Sequence, residues 1–238
     1  MTEPILEVAN LRCSIAGQQV VEDVSFSVPP TGITAVLGRN GVGKTSTLRG
    51  IMGLIARTGE VRLAGESIGR LPTHKIVQRG IGYVPEDREV FASLTVAENL
   101  ALAERQAHPR RDFVAELFPD IIARANQPAG TLSGGQQQMV SVARALINDN
   151  KILLVDEPTK GLAPKIVGEV ADALEEASKT VPILLVEQNL EVVRQLADDA
   201  FVISGGRVVH TGKAAEILDD AALTQKLLGV HADEEATA

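Results

Sequence analysis

One stretch constrains the fold more than any other: Gly38-Arg39-Asn40-Gly41-Val42-Gly43-Lys44-Thr45-Ser46. It follows the apolar run Ile33-Thr34-Ala35-Val36-Leu37, which reads as a buried strand. It precedes Thr47-Leu48-Arg49-Gly50-Ile51-Met52, which reads as the start of a helix. Strand, glycine loop and helix are the setting that a phosphate-binding loop requires. The glycines let the backbone approach a ligand closely. The loop amides and the positive end of the helix then face the phosphates. Lys44 would reach the β- and γ-phosphates, and the Thr45 hydroxyl would ligate Mg²⁺. A glycine-rich turn that merely ends in Lys-Thr would not need both flanks.

The rest of the chain supplies an α/β frame. Ile5-Leu6-Glu7-Val8 and Val24-Ser25-Phe26-Ser27-Val28 alternate as half-buried antiparallel strands do. After the loop helix come short strands at Glu60-Val61-Arg62-Leu63 and Ile81-Gly82-Tyr83-Val84. From about 88 to 147 the pattern turns helical. Thr95-Val96-Ala97-Glu98 is a capping box, a second helix runs from Arg111 to Phe118, and a third begins near Ser133. We expect this block to be a helical subdomain inserted in the α/β core. Ile152-Leu153-Leu154-Val155 and Ile183-Leu184-Leu185-Val186 read as parallel strands buried on both faces. Each is followed by a helix. A glycine hairpin at 201–209 and a single last helix at 214–228 complete one domain over 1–230, with an acidic, frayed tail at 231–238.

Composition narrows the function. Hydrophobic residues are 45% of the 238, enough for a large core, and aromatics are only 3%, so that core is aliphatic. A formal charge of −8 argues against sequence-independent binding to nucleic acid or anionic lipid. No apolar run approaches the ~18 residues of a membrane span. The start Met1-Thr2-Glu3-Pro4 lacks a signal-peptide pattern. Cys13 is the one cysteine and reads as a small apolar filler. Together these features fit a reducing cytoplasm. The four histidines show no metal-ligand spacing.

Three apolar strands end in polar residues: at Gly38, at Asp156-Glu157 and at Glu187-Gln188. In open parallel sheets the ligand lies beyond the carboxyl ends of the strands. Asp156 would hold Mg²⁺ through water, and Glu157 would orient and activate a water against the γ-phosphate. Ser133, Gly134, Gly135 and Gln136 stand at a helix N-terminus, a second anion-binding geometry. A plain serine N-cap is the bland reading of the same residues.

The phosphate loop, Leu132-Ser133-Gly134-Gly135-Gln136 and Ile152–Glu157, in that order, make the sequence resemble an ATP-binding cassette (ABC) transporter ATPase over nearly its whole length. The resemblance implies the P-loop ABC fold, with an N-terminal antiparallel β-subdomain, a mainly parallel core sheet and an inserted helical subdomain. It implies Mg-dependent ATP hydrolysis by a head-to-tail dimer. ATP would lie between the phosphate loop of one chain and the signature serine of the other, a second copy or a sister subunit. Integral membrane permease subunits and, indirectly, a substrate-binding protein would complete the complex at the cytoplasmic face of the membrane.

Tyr83-Val84-Pro85-Glu86, Glu157-Pro158-Thr159-Lys160-Gly161-Leu162-Ala163-Pro164 and Leu185-Val186-Glu187-Gln188-Asn189 are most similar to branched-chain amino acid importer ATPases. Urea importer ATPases come next. A soluble ABC ATPase acting on a protein scaffold is the alternative class, and nucleic acid is not an expected partner.

The chain departs from the general ABC pattern at four positions. Glu86 stands where glutamine is usual, and would ligate Mg²⁺ with a full negative charge or serve as a solvated turn carboxylate. Gln188 replaces the switch histidine. It would still donate to the γ-phosphate but cannot titrate near neutrality, or else it only partners a helix cap. Ala163 replaces an aspartate. Ile15 falls where an aromatic ring usually stacks on adenine, and otherwise reads as core.

Overall fold

The computed structural model describes residues 3–229. The expected tail at 231–238 lies outside the described residues. The elements in chain order are β1 (Leu6–Ile15), β2 (Gln18–Val28), β3 (Ile33–Leu37), α1 (Lys44–Ile51), β4 (Ala56–Leu63), β5 (Glu66–Ser67), α2 (Thr73–Gln78), β6 (Ile81–Val84), α3 (Val96–Ala103), α4 (Arg111–Leu117), α5 (Pro119–Ile122), α6 (Gly134–Leu146), β7 (Ile152–Asp156), α7 (Pro164–Ser178), β8 (Ile183–Val186), α8 (Leu190–Leu196), β9 (Asp199–Ser204), β10 (Arg207–Lys213), α9 (Ala214–Asp219) and α10 (Ala221–Leu228).

The strands form one sheet in the order β5-β4-β1-β2-β10-β9-β3-β8-β7-β6. Strands β9, β3, β8, β7 and β6 run parallel, and β5, β4, β1 and β2 are antiparallel. Every residue of β3, β7 and β8 is buried, as unbroken aliphatic runs require of central parallel strands. The amides of Glu22 and Asp23 both donate to Gly206 O, fastening β2 to the start of β10. That seam joins the antiparallel part to the parallel core.

The sheet has two covered faces. On one, Leu153, Val155, Ile183 and Leu185 pack with α3 to α7. On the other, Ile152, Leu154, Leu184 and Val186 pack with α1 and the inner faces of β1, β2 and β4. A third cluster joins Ala35, Leu37 and Val202 to α8, α9 and α10.

Local chemistry explains most boundaries. Thr95 caps α3 and Ser133 caps α6, each by a reciprocal capping box. The β1–β2 turn places Ala16 and Gly17 at φ 50° and 82°, as a two-residue hairpin with right-handed strand twist needs. Helix α4 stops ahead of Pro119, which opens the separate α5 at its first turn, where the missing N–H costs nothing. Three expectations are corrected. The helix at 214–228 is two helices, because the Asp220 side chain accepts from Leu223 N and caps a new start. The loop helix begins at Lys44, ahead of Thr47. Helix α2 and the short β5 fill a segment where the sequence suggests no element.

Candidate active site

Register brings the polar strand ends together. Val36 of β3 is level with Val186 of β8, which is level with Asp156 of β7. Val155 is in turn level with Val84 of β6. The residues just beyond, Gly38, Glu187-Gln188, Asp156-Glu157 and Glu86, therefore share one edge of the sheet. They border two openings. A cavity of about 710 Å³ is lined by Asn40 to Ser46, Glu86, Glu157, Lys160, Gln188 and the rim of β2 and Gly205-Gly206. A second, of about 450 Å³, carries Gly38, Arg39 and Gln188 to the end of α10.

The loop needs its glycines for space as well as for conformation. A Cβ on Gly38 would lie 2.3 Å from Ile203 O, and one on Gly43 would lie 2.7 Å from Val20 O. Gly43 has φ 103° and precedes α1 directly. Lys44 is buried, and its Nζ donates to Gly38 O at 2.7 Å and Arg39 O at 3.1 Å. Burial lowers its pKa, and Glu157 and Asp156 oppose that. The ammonium thus curls over its own loop, held by neutral carbonyls.

Asp156 is fully buried at the end of β7. Thr45 Oγ1 donates to its Oδ1 at 3.0 Å, and Tyr83 OH approaches Oδ2 at 3.5 Å. Burial is the main reason its pKa rises to about 6; the Thr45 hydrogen bond opposes, and Glu157 and Glu86 reinforce. Thr45 and Asp156 present hard oxygens side by side, the donor chemistry that Mg²⁺ takes, so these residues fit that cation.

Glu157 turns out of the strand at φ 44°, in the left-handed region that side chains other than glycine rarely adopt. Its amide donates to Val186 O at 2.8 Å. Gln188 Nε2 donates to Glu157 Oε1 at 2.5 Å. Oε2 receives no directed hydrogen bond, but Lys160 Nζ stands 3.2 Å away and balances its charge. Gln188 is therefore more than a cap partner. Asn189 caps α8, accepting from Glu191 N and Val192 N. Glu86 lies partly exposed in the turn after β6, borders the cavity and pairs with Lys160 at 2.5 Å.

Several expected residues lie elsewhere. Ser133 is exposed at the start of α6, and its hydroxyl accepts from Gln136 N at 3.3 Å. Gly134 packs under the Arg88 guanidinium and Gly135 against Ile166. None of Ser133 to Gln136 lines either opening. Ile15 also stands outside them, 44% exposed at the end of β1, which rules out a core role. The tight turn after it places Gln18, Gln19 and Val20 on the cavity rim instead.

Two contributors carry no role in the sequence reading: Lys160 stands there only as one member of a similar stretch, and Glu187 only as a polar strand end. Glu187 accepts from Thr159 N, Gln188 N and Asn189 N at 3.2, 2.6 and 2.9 Å, and also from the Thr159 hydroxyl. It brackets the Glu157 turn to the Gln188 turn. A carboxylate at a strand end followed by two polar residues is the available signal.

With this geometry in hand, the comparisons are specific. The family profile described as ABC transporter matches residues 21–160. The high-affinity branched-chain amino acid transport ATP-binding protein BraG of Pseudomonas aeruginosa is 39% identical, over 89% of this chain and 94% of its own. The probable branched-chain amino acid transport ATP-binding protein LivF of Archaeoglobus fulgidus is 35% identical, over 95% and 99%. The lipopolysaccharide export system ATP-binding protein LptB of Haemophilus influenzae is 32% identical, over 94% and 97%. Among solved structures, a nucleotide-free ATP-binding cassette from an ABC transporter superposes with a TM-score of 0.82 at 23% identity, covering 94% of this chain and 97% of that one. That likeness carries the fold.

Proposed function

The chain belongs to the ABC transporter family, and on that premise we propose that its Lys44 cavity is the ATP site of an amino-acid importer, with branched-chain amino acids as the first solute class. The protein is an ATPase that hydrolyses ATP to drive transport. The observation that carries the site assignment is the register that brings the ends of β3, β7 and β8 to one sheet edge, where Glu157 and Gln188 line the same cavity as Lys44. The solute class rests on BraG and LivF, whose identities exceed that of LptB. The LptB likeness favours, as a second reading, a subunit of an exporter.

Lys44 exchanges its loop carbonyls for the β- and γ-phosphates, and the amides from Gly41 to Ser46 cradle the rest. Thr45, Asp156 and Glu86 supply oxygens for Mg²⁺, which when bound neutralises phosphate charge. Glu157, held by Gln188, takes a proton from the attacking water as its oxygen bonds to the γ-phosphorus and the bridging P–O bond breaks. Ser133 lies outside its own chain's cavity, which supports a second ATPase chain closing the site. Such closure would favour ATP over ADP through the extra phosphate contacts. A groove of about 690 Å³, lined by Leu54, Tyr83, Leu102 and Arg144, opens next to Glu86 and exposes two leucines. It supports docking of a membrane permease subunit there.

The test is purification from membranes with a tagged chain, mass identification of the partners, and solute uptake in vesicles. Co-purifying permease and uptake of leucine or valine are expected. Partners of an export system, or ATPase activity indifferent to Lys44→Ala, would refute the respective parts.

A further inference from the structure

Glu86 poses a problem of charge. It borders the same cavity as Glu157, near the buried Asp156, and a triphosphate would add net negative charge there even with its magnesium ion. Like charges gathered in a partly buried site repel. Lys44 answers for one side of the cavity. On the other side stands Lys160, in the turn after β7, and the hydrolysis chemistry gives it no task.

Its Nζ lies 2.5 Å from Glu86 Oε1 and 3.2 Å from Glu157 Oε2, so one ammonium joins two strand ends. The side chain is 56% exposed, so the ammonium reaches the cavity wall from solvent on a flexible stem. The pull of Glu86 first, and Glu157 next, raises its pKa and keeps it charged at neutral pH.

We propose that Lys160 is a positioning residue that makes a glutamate workable at position 86, by neutralising Glu86 beside the terminal phosphate of ATP. The pair then meets the nucleotide as a net-neutral polar group, which is what a single amide would be. This rests on ATP occupying the Lys44 cavity. ADP lacks the phosphate that the pair would face, so the residue serves discrimination between the two nucleotides more than total affinity.

Equilibrium titration of a β,γ-imido ATP analogue and of ADP, each with magnesium, tests it in full-length protein. Lys160→Met should weaken the triphosphate about tenfold, equivalent to about 1.4 kcal/mol, and leave ADP within about twofold. Lys160→Arg should keep the wild-type ratio. Glu86→Gln combined with Lys160→Met should recover most of the lost triphosphate affinity, because only Glu157 is then left without its cation. A general structural role would not be rescued that way.

Unchanged triphosphate affinity in Lys160→Met, equal losses for both nucleotides, or no recovery in the double variant would each overturn the proposal. Should Lys160→Met unfold, Lys160→Gln carries the same expectations. If instead wild-type binding survives Lys44→Ala, the cavity assignment falls, and that result is distinct from any of these.

Discussion

Replacing Asp156 by Asn removes a buried charge and keeps the shape, so it separates what this residue does for the fold from what it does for the reaction. Burial raises the Asp156 pKa from the ordinary 3.8 to about 6. The gap between those values is worth roughly 3 kcal/mol at most, since each pH unit is 1.36 kcal/mol. The sign follows from linkage. Below the unfolded value both states hold the proton and there is no penalty. As pH rises through the folded value the native state must carry an ionised buried carboxylate, and stability is lost. The neutral amide introduced by Asp156→Asn would imitate the protonated form and still accept the Thr45 hydroxyl. The nucleotide-free D156N protein should therefore be more stable than wild type at pH 8, by roughly 1–3 kcal/mol or several degrees in Tm. Near pH 5 the gain should be about half, and below the unfolded value it should vanish. Urea unfolding at pH 8 and pH 5, without nucleotide, measures this directly. The same variant should lose Mg-dependent turnover. A destabilised D156N at pH 8, or a gain equal at both pH values, would refute the reasoning.

Other outcomes follow from single contacts. Glu157→Gln should lower kcat by about 10²–10⁴-fold while ATP binding persists, because only the proton acceptor is lost; a hydrolysis assay beside nucleotide titration decides it, and turnover within a fewfold of wild type would reassign the base. Gln188 cannot titrate, so Gln188→His should add an ionisation near neutrality to the pH–rate profile; an unchanged profile and rate would remove position 188 from the site. The Arg57 guanidinium donates to the carbonyls of Gly50 and Ile51 at the end of α1, and to Ile68 O at 3.0 Å and Gly69 O at 3.1 Å. Arg57→Met should cost roughly 2–4 kcal/mol by leaving those acceptors unpaired, measured by urea unfolding; a loss below half of the lower figure would mean water replaces the donors.

What is legible in the chain is what is local. Four aliphatic residues in a row are best satisfied in a strand covered on both sides, so β7 and β8 follow from composition alone. The loop before α1 is legible because its glycines and Lys-Thr pair sit within one turn. The capping boxes at Thr95 and Ser133 are legible for the same reason. The failures share a cause. Asp220 looks like one more acid in a helical run until its side chain finds Leu223 N. Arg57 carries no signal in the sequence, and only the fold brings it to carbonyls from two separate segments. Ile15 is placed by its position in a pattern, whereas the turn at Ala16-Gly17 decides which residues reach the rim.

Lys160 shows why the site could not be completed from spacing. Its partners are one turn away in Glu157 and a different strand end away in Glu86, and only the pairing of β6 with β7 brings the second near. The pairing of β7 with β8 explains the backbone at Glu157. A left-handed residue other than glycine costs on the order of 1 kcal/mol, and here the cost is offset by three restraints. The amide donates to β8, one carboxylate oxygen accepts from Gln188, and the other faces Lys160. Two restraints come from the end of β8 and the third from Glu157's own turn, so the carboxylate holds its aim only while β7 and β8 stay in register. A change that loosens that register, even one distant from the cavity, should therefore lower turnover before it lowers ATP affinity, because Lys44 and the loop depend on β3 and α1 instead.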